Sequence, residues 1–193
     1  MDSFYSADEI KAIGFKAIGE NVKISRKTSI YGAEYISIGS NVRIDDFCCL
    51  VANNNEIIIG SNIHIAFFCI LMGSGGIIME DFSGLSSRVS IYSATDDYSG
   101  LTLTNPTIPE KYKHIYSGKV VLRKHVIIGT NTTILPNLEI GVGCSIGANS
   151  LVTKSLDEWG IYIGTPVKKL KDRHKDLLKL EYEFSNEQTG KKS

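Results

Sequence analysis

The sequence carries no surplus of either charge: 21 Lys and Arg balance 21 Asp and Glu over 193 residues. Partners such as nucleic acid or an anionic membrane usually select for concentrated Lys and Arg, so neither is expected, and small-molecule chemistry is. No apolar run approaches the roughly 18 residues that a membrane span needs. Met1 to Ile10 is acidic and polar rather than basic and then apolar, so neither a span nor a secretion signal is expected and the location should be cytoplasmic. H-E-x-x-H and paired C-x-x-C motifs are missing, and His64, His114, His125 and His174 lack ligand spacing, which predicts no metal. Gly73-Ser74-Gly75-Gly76 lacks the P-loop lysine and a following helix, so it reads as a chain corner rather than a phosphate cradle.

What the sequence does hold is a period. From Val121 to Lys154 the aliphatic residues Leu122, Ile128, Ile134, Ile140, Ile146 and Val152 recur every sixth position. A helix repeats near 3.6 and a half-buried strand at 2, so six requires short strands joined by sharp turns. Gly129, Gly141 and Gly147 follow aliphatic positions, where glycine's tolerance of unusual backbone angles suits a corner. A second register, four residues on, holds Val126, Thr132, Leu138, Cys144 and Ser150. Cys48 and Cys69 fall in the same small-residue register and read with Cys144 as packing residues, whereas Cys49 is expected to face outward. No disulfide is needed, in keeping with a reducing compartment.

The ladder extends backwards in groups of three: Ile18, Ile24, Ile30; Ile38, Ile44, Leu50; Ile59, Ile65, Leu71; Met79, Leu85, Ile91. The extra residues between groups fall near Gly32, Ala52 to Asn55 and Gly73 to Gly76, which predicts widened corners. With 42% hydrophobic residues, one domain is expected over 1–193: a cap at 1–17, coils one to four at 18–92, a long loop at 93–119, coils five and six at 120–155, a closing strand and helix at 156–184, and a frayed tail at 185–193. The S-x-x-E spacing of Ser6 and Glu9 predicts a helix from Ala7 to about Ala12 that plugs the open end. Pro166 suits a first helical turn, and Lys168 to Phe184 is expected to be helical. A loop as long as 93–119 inside a compact domain is usually functional or disordered, and because the repeat resumes in step beyond it a functional loop is expected.

This pattern resembles the hexapeptide-repeat acyltransferases. The resemblance covers about residues 18 to 171. It implies an all-β fold, a left-handed parallel β-helix of about six coils with a short N-terminal helix, a protruding loop and a C-terminal helix. It also implies a homotrimer with the CoA groove between neighbouring prisms. Ile128-Gly129-Thr130, Gly147-Ala148, Val152-Thr153-Lys154 and Gly164 to Lys168 look like the segments that line CoA in sugar acetyltransferases. By that similarity, backbone groups at Thr130 and Ala148 hold the pantetheine amides, and Thr153, Lys154, Lys168 and Lys171 face the adenosine phosphates, which ammonium groups suit as point charges. The bland alternative is that these lysines form a solvated face. The co-substrate implied is acetyl-CoA or another acyl-CoA. The histidine trio of the γ-type carbonic anhydrases, a zinc-binding branch of this fold, is not found.

Sugar acetyltransferases carry a histidine before a proline at the start of the long loop; here that place holds Thr95-Asp96-Asp97-Tyr98-Ser99-Gly100. The run from Ser86-Ser87-Arg88 to Tyr98-Ser99-Gly100 looks more like a subgroup that acylates amino groups of nucleotide-linked deoxysugars, with Ser87, Arg88 and Tyr98 at the substrate. A carboxylate near pKa 4 is a poorer base for an alcohol than an imidazole near 6.5, but an amine attacks as the free base and needs less help. Asp96 and Asp97 are therefore candidate catalytic residues, with His64 and His125 as the alternatives should the acceptor be an alcohol. Asp45-Asp46 and Glu80-Asp81 follow ladder positions and read as corners. The expected function is acyl transfer from CoA to an amino sugar nucleotide destined for surface polysaccharide or O-antigen. Sugar O-acetylation and a non-enzymatic scaffold are the competing readings.

Overall fold

Each ladder residue lies in a strand, stacked on the ladder residue of the coil before it. Ile18, Ile38, Ile59, Met79, Leu122 and Ile140 align in one column. Ile24, Ile44, Ile65, Leu85, Ile128 and Ile146 form the second, and Ile30, Leu50, Leu71, Ile91, Ile134 and Val152 the third. This is a computed structural model, and it describes residues 3–188. Among the described residues, three sheets wrap one core in a parallel β-helix: six strands in the first sheet, eight in the second and six in the third. Six coils are complete, and Leu156 with Gly160–Ile163 begins a seventh.

The ladder is buried throughout except at Ile18 and Ile30 of the first coil, which are half-buried. Burying one such side chain stabilises by roughly 1.5–3 kcal/mol, and only stacked coils provide the apolar partner. Helix α1, Ala7–Ile13, covers the open end with Ile10 buried. Its capping box is present: Ser6 Oγ accepts from Glu9 N–H, and the Ser6 amide donates to Glu9 Oε2 at 2.7 Å. The Arg26 guanidinium, then the Ser6 amide, hold the Glu9 carboxyl down at about 2.

The widened corners fall where the spacing predicts. Ala33–Tyr35 forms a 3-10 turn after Gly32, and Asn53 and Asn55 bridge within the second widened corner. The glycines have a different reason from the expected one. Gly129, Gly141 and Gly147 do not adopt left-handed angles; these are taken two residues later by Asn131, Gly143 and Asn149. A Cβ on Gly129 would lie 2.6 Å from Ala148 N, and one on Gly141 2.6 Å from Glu158 N. The next coil's backbone occupies the space of a side chain.

Cys48, Cys69 and Cys144 are buried, their thiols donating to the carbonyls of Ala66, Ser86 and Asp157, and all four cysteines are free. The long loop leaves and re-enters at one corner. Gly118 N–H donates to Ser93 O, Ser93 Oγ accepts from Gly75 N–H, and the first and last residues of the loop pair as antiparallel strands, Ala94–Asp96 with Ile115–Ser117. Leu122 then stacks on Met79, so the repeat resumes in step.

The C-terminal region departs from expectation. Lys168 does not begin a helix; Lys168–Asp172 is a strand antiparallel to Gly160–Ile163, and Pro166 lies in the connection between them after a cis peptide bond. Helix α2 spans Leu177–Gln188, past the predicted end at Phe184. The remainder of the expected tail, 189–193, lies outside the described residues. Among the described residues, no helix is long and apolar enough to cross a membrane.

Candidate functional site

The second sheet presents a column of outward side chains, Arg43, His64, Gly84, Ile127 and Ser145, one per coil. Gly84 has no side chain, so a groove of about 370 Å³ opens above His64, lined also by Ser86, Ser87, Ile127 and Thr130. His64, Ser87 and Thr130, nominated separately from sequence, are thus brought together. The corner between the second and third sheets carries a further feature. Among the described residues, the amides of Ser87, Thr130 and Ala148 donate to no group of the chain. Thr130 and Ala148 are exposed.

One coil before His64, Asp45 is 2% exposed, and its two oxygens face two side chains. Arg43 Nε donates to Oδ1 at 2.6 Å, and His64 Nε2 lies 2.6 Å from Oδ2. A buried carboxylate is costly unless paired, and both of its oxygens are satisfied here. From sequence Asp45 reads as a corner residue; the signal for its pairing is its distance of 19 residues from His64, close to one coil.

His125 stands elsewhere, at the corner between the first and second sheets. It is 7% exposed, stacks on Phe82 and lies 2.8 Å from Glu181 of α2. Burial pushes the Glu181 carboxyl up, but Lys124 and His125 outweigh it and hold the group below the usual range. Arg173 Nη1 donates to the carbonyls of His125 and Gly143, fastening the C-terminal segment along the same corner.

The loop-entrance aspartates differ from each other. Asp97 Oδ1 accepts from the amide and hydroxyl of Ser99, and Oδ2 accepts from both groups of Thr102, so the carboxylate organises its own turn. The Ser99 hydroxyl, then its amide, hold the Asp97 carboxyl down at about 2. Asp96 ends the first loop strand, with one long contact of 3.4 Å from Asn105 N–H. Tyr98 is 92% exposed, and the Arg88 guanidinium lies over the exposed Phe68 ring at 5.7 Å.

Thr153 and Lys154 follow the strand Leu151–Val152 and so occupy the corner after the third sheet, one sheet width from Thr130 and Ala148. Lys168 and Lys171 lie on the antiparallel strand at the far end of the second sheet. Lys154, Lys168 and Lys171 are exposed and make no ion pair among the described residues. Also among the described residues, no group of three or more His, Cys, Asp or Glu is placed to hold a metal. A second groove of about 350 Å³, lined by Ile58, Ile78, Glu80 and Lys124, contains none of the nominated residues.

No family model matches the chain. It is 44% identical over 182 residues to the dTDP-4-amino-4,6-dideoxy-D-glucose acyltransferase of Escherichia coli, covering 94% of this chain and 95% of that protein. It is 50% identical to AntD, an N-acyltransferase from Bacillus cereus solved with dTDP and 3-hydroxybutyryl-CoA, with a TM-score of 0.94 over 98% of this chain and 100% of that one. AntD has also been solved with a serine or an aspartate replaced, in complexes with CoA and either dTDP or dTDP-4-amino-4,6-dideoxyglucose. A hexapeptide-repeat acetyltransferase from Vibrio cholerae, 17% identical with a TM-score of 0.56 over 86% of this chain and 79% of that one, shares the fold alone. The period-six ladder, its parallel β-helix and near full-length identity converge: the chain belongs to the hexapeptide-repeat acyltransferases, in the branch of the dTDP-aminosugar N-acyltransferases.

Proposed function

We propose that the chain transfers an acyl group from CoA to the amino group of a dTDP-linked 4-amino-4,6-dideoxyhexose. It would act as a cytoplasmic homotrimer on a precursor of surface polysaccharide or O-antigen. The observation that carries this reading is the 50% identity to AntD over 98% of the chain, loop included. The acyl group is acetyl or a larger one.

The serine and the aspartate replaced in AntD stand ten residues apart. Ser86 with Asp96, and Ser87 with Asp97, have the same spacing here. Within one prism the two members of each pair are separated by the strand Ser90–Tyr92, which at about 3.3 Å per residue spans roughly 10 Å. A serine at one corner and an aspartate at the next can share a substrate when a neighbouring prism packs its corner against the groove, which supports the trimer. Asp96, with a single long contact, has acceptor capacity left to orient the sugar's amine. Asp97, with four donors, holds the loop in shape. Ser87, Arg88 and Tyr98 are assigned to the sugar nucleotide.

CoA fits the free amides of Thr130 and Ala148, which suit the carbonyls of pantetheine, and the unpaired Lys154, Lys168 and Lys171, which with Thr153 suit its phosphates. In the reaction the free amine attacks the thioester carbonyl, and the proton it sheds ends on the CoA sulfur. The test is thiol release from acetyl-CoA and 3-hydroxybutyryl-CoA with dTDP-4-amino-4,6-dideoxyglucose, compared with its 4-hydroxy counterpart. Release with the amine only is expected. Release with the alcohol only returns the chain to O-transfer and refutes the proposal. Light scattering should give a trimer, and Asp96→Asn should weaken sugar binding and turnover while leaving acyl-CoA binding unchanged.

A further inference from the structure

We infer that His64, held by the buried carboxylate of Asp45, carries the proton from the attacking amine to the departing thiolate, so that Asp45 is a positioning residue for acyl transfer. This rests on the proposed substrate and adds the route of the proton. Asp45 is the only buried carboxylate among the described residues, and its Oδ2 faces a ring that lines the groove. An ionised carboxylate only accepts, so in the neutral imidazole the Nε2 beside it carries the hydrogen and Nδ1 keeps its lone pair. The ring cannot turn over without placing a lone pair against Asp45, and Arg43 Nε holds the carboxylate from its other side.

The surroundings favour this role. The charged groups facing the ring are Arg43 and Asp45 on the preceding coil; Gly84 and Ile127, the next residues of the column, carry none. His64 is the only ionisable residue lining the groove, whose other polar side chains are those of Ser86, Ser87 and Thr130. A Cβ at position 84 would meet only the His64 carbonyl oxygen, at 3.6 Å, and glycine leaves the groove open beside His64. Within one prism the carboxylates of the loop do not line this groove, so of the groups that do line it His64 Nδ1 is the strongest proton acceptor.

The step balances. The amine nitrogen bonds to the thioester carbon as the carbonyl pair moves to oxygen, and the N–H proton passes to His64 Nδ1. The carbonyl then re-forms, the C–S bond breaks, and the imidazolium returns the proton to sulfur, giving the amide and CoA thiol. His64 is a catalytic residue in this scheme because it touches the reacting nitrogen.

The experiment is steady-state kinetics with dTDP-4-amino-4,6-dideoxyglucose and acetyl-CoA. His64→Ala removes a side chain that is 55% exposed, so the fold should be kept, as circular dichroism and light scattering would verify. Its kcat should fall by about 10²-fold, the lower end of a general acid-base contribution, with both KM values within about twofold of wild type. Added imidazole should restore part of the rate, which a packing role would not allow. Asp45→Asn should lower kcat by about tenfold with the same KM values, through loss of orientation alone. If Asp45→Asn does not fold, the His64→Ala rescue decides by itself. Unchanged kcat in His64→Ala, or a loss confined to KM for acyl-CoA, overturns the relay while leaving the substrate reading intact. Absence of amine acylation by the wild-type chain overturns both.

Discussion

Gly129→Ala puts one methyl group where the next coil's backbone already lies. A Cβ there meets Ala148 N at 2.6 Å, Gly147 C at 2.7 Å and Ile146 O at 2.8 Å, all backbone atoms that no rotamer change can move. Ordinary contact begins at 3.4 Å, so the two coils must part locally by about 0.8 Å. The Gly129 N–H to Ile146 O bond, 2.8 Å long, is stretched beyond hydrogen-bonding range by such a shift. One orphaned backbone pair costs about 1–3 kcal/mol and overpacking a similar amount. The entropy advantage of Ala over Gly in the unfolded chain returns about 0.4–1 kcal/mol. The net loss is about 2–4 kcal/mol, a large share of the roughly 5–15 kcal/mol that holds a domain together. Urea unfolding, followed by circular dichroism and by the fluorescence of Trp159, the only tryptophan, should show the midpoint fall by about 1–2 M at a slope of 1–3 kcal/mol per M. The control is Gly84→Ala on the same sheet, where a Cβ would meet only His64 O at 3.6 Å. Its midpoint should stay near wild type. Equal midpoints for the two variants would refute the steric account of the corner glycines.

Three further outcomes are expected. Ile128→Asp should yield no folded protein, because an unpaired buried carboxylate costs several kcal/mol, whereas Cys144→Ala should fold with a loss of about 1 kcal/mol for the thiol's bond to Asp157 O; solubility and thermal melting distinguish them. The Asp97 carboxyl should titrate by NMR at about 2 and move up toward 3.9 in Ser99→Ala. Since its folded value lies below the unfolded one, its contribution to loop order is present above about pH 4 and is lost as pH falls toward 2. Glu181→Ala leaves Lys124 and the buried His125 without their partner, so limited proteolysis should cut within α2 faster than in wild type while the coils keep their unfolding midpoint.

The sequence by itself determined the coils. A period of six with aliphatic residues at one position admits one packing, and the shifts of eight or nine residues placed the widened corners because an insertion can leave the ladder in register only at a corner. The capping box of α1 was legible for the same reason: its residues interact three apart. Contacts distant in sequence were decided only by the tertiary structure. Gly129 looks like a turn glycine until coil six is stacked upon it and Ala148 N fills the space of a side chain. Lys168–Asp172 has helix-compatible composition, yet the unpaired edge of Gly160–Ile163 draws it into a strand, because backbone pairing there outweighs a weak local preference. His64 and His125 both lie off the inward ladder, one residue before Ile65 and three before Ile128. Register puts the first in a strand and the second at a corner, but only stacking sets one against Asp45 and packs the other under α2 against Glu181, 56 residues away.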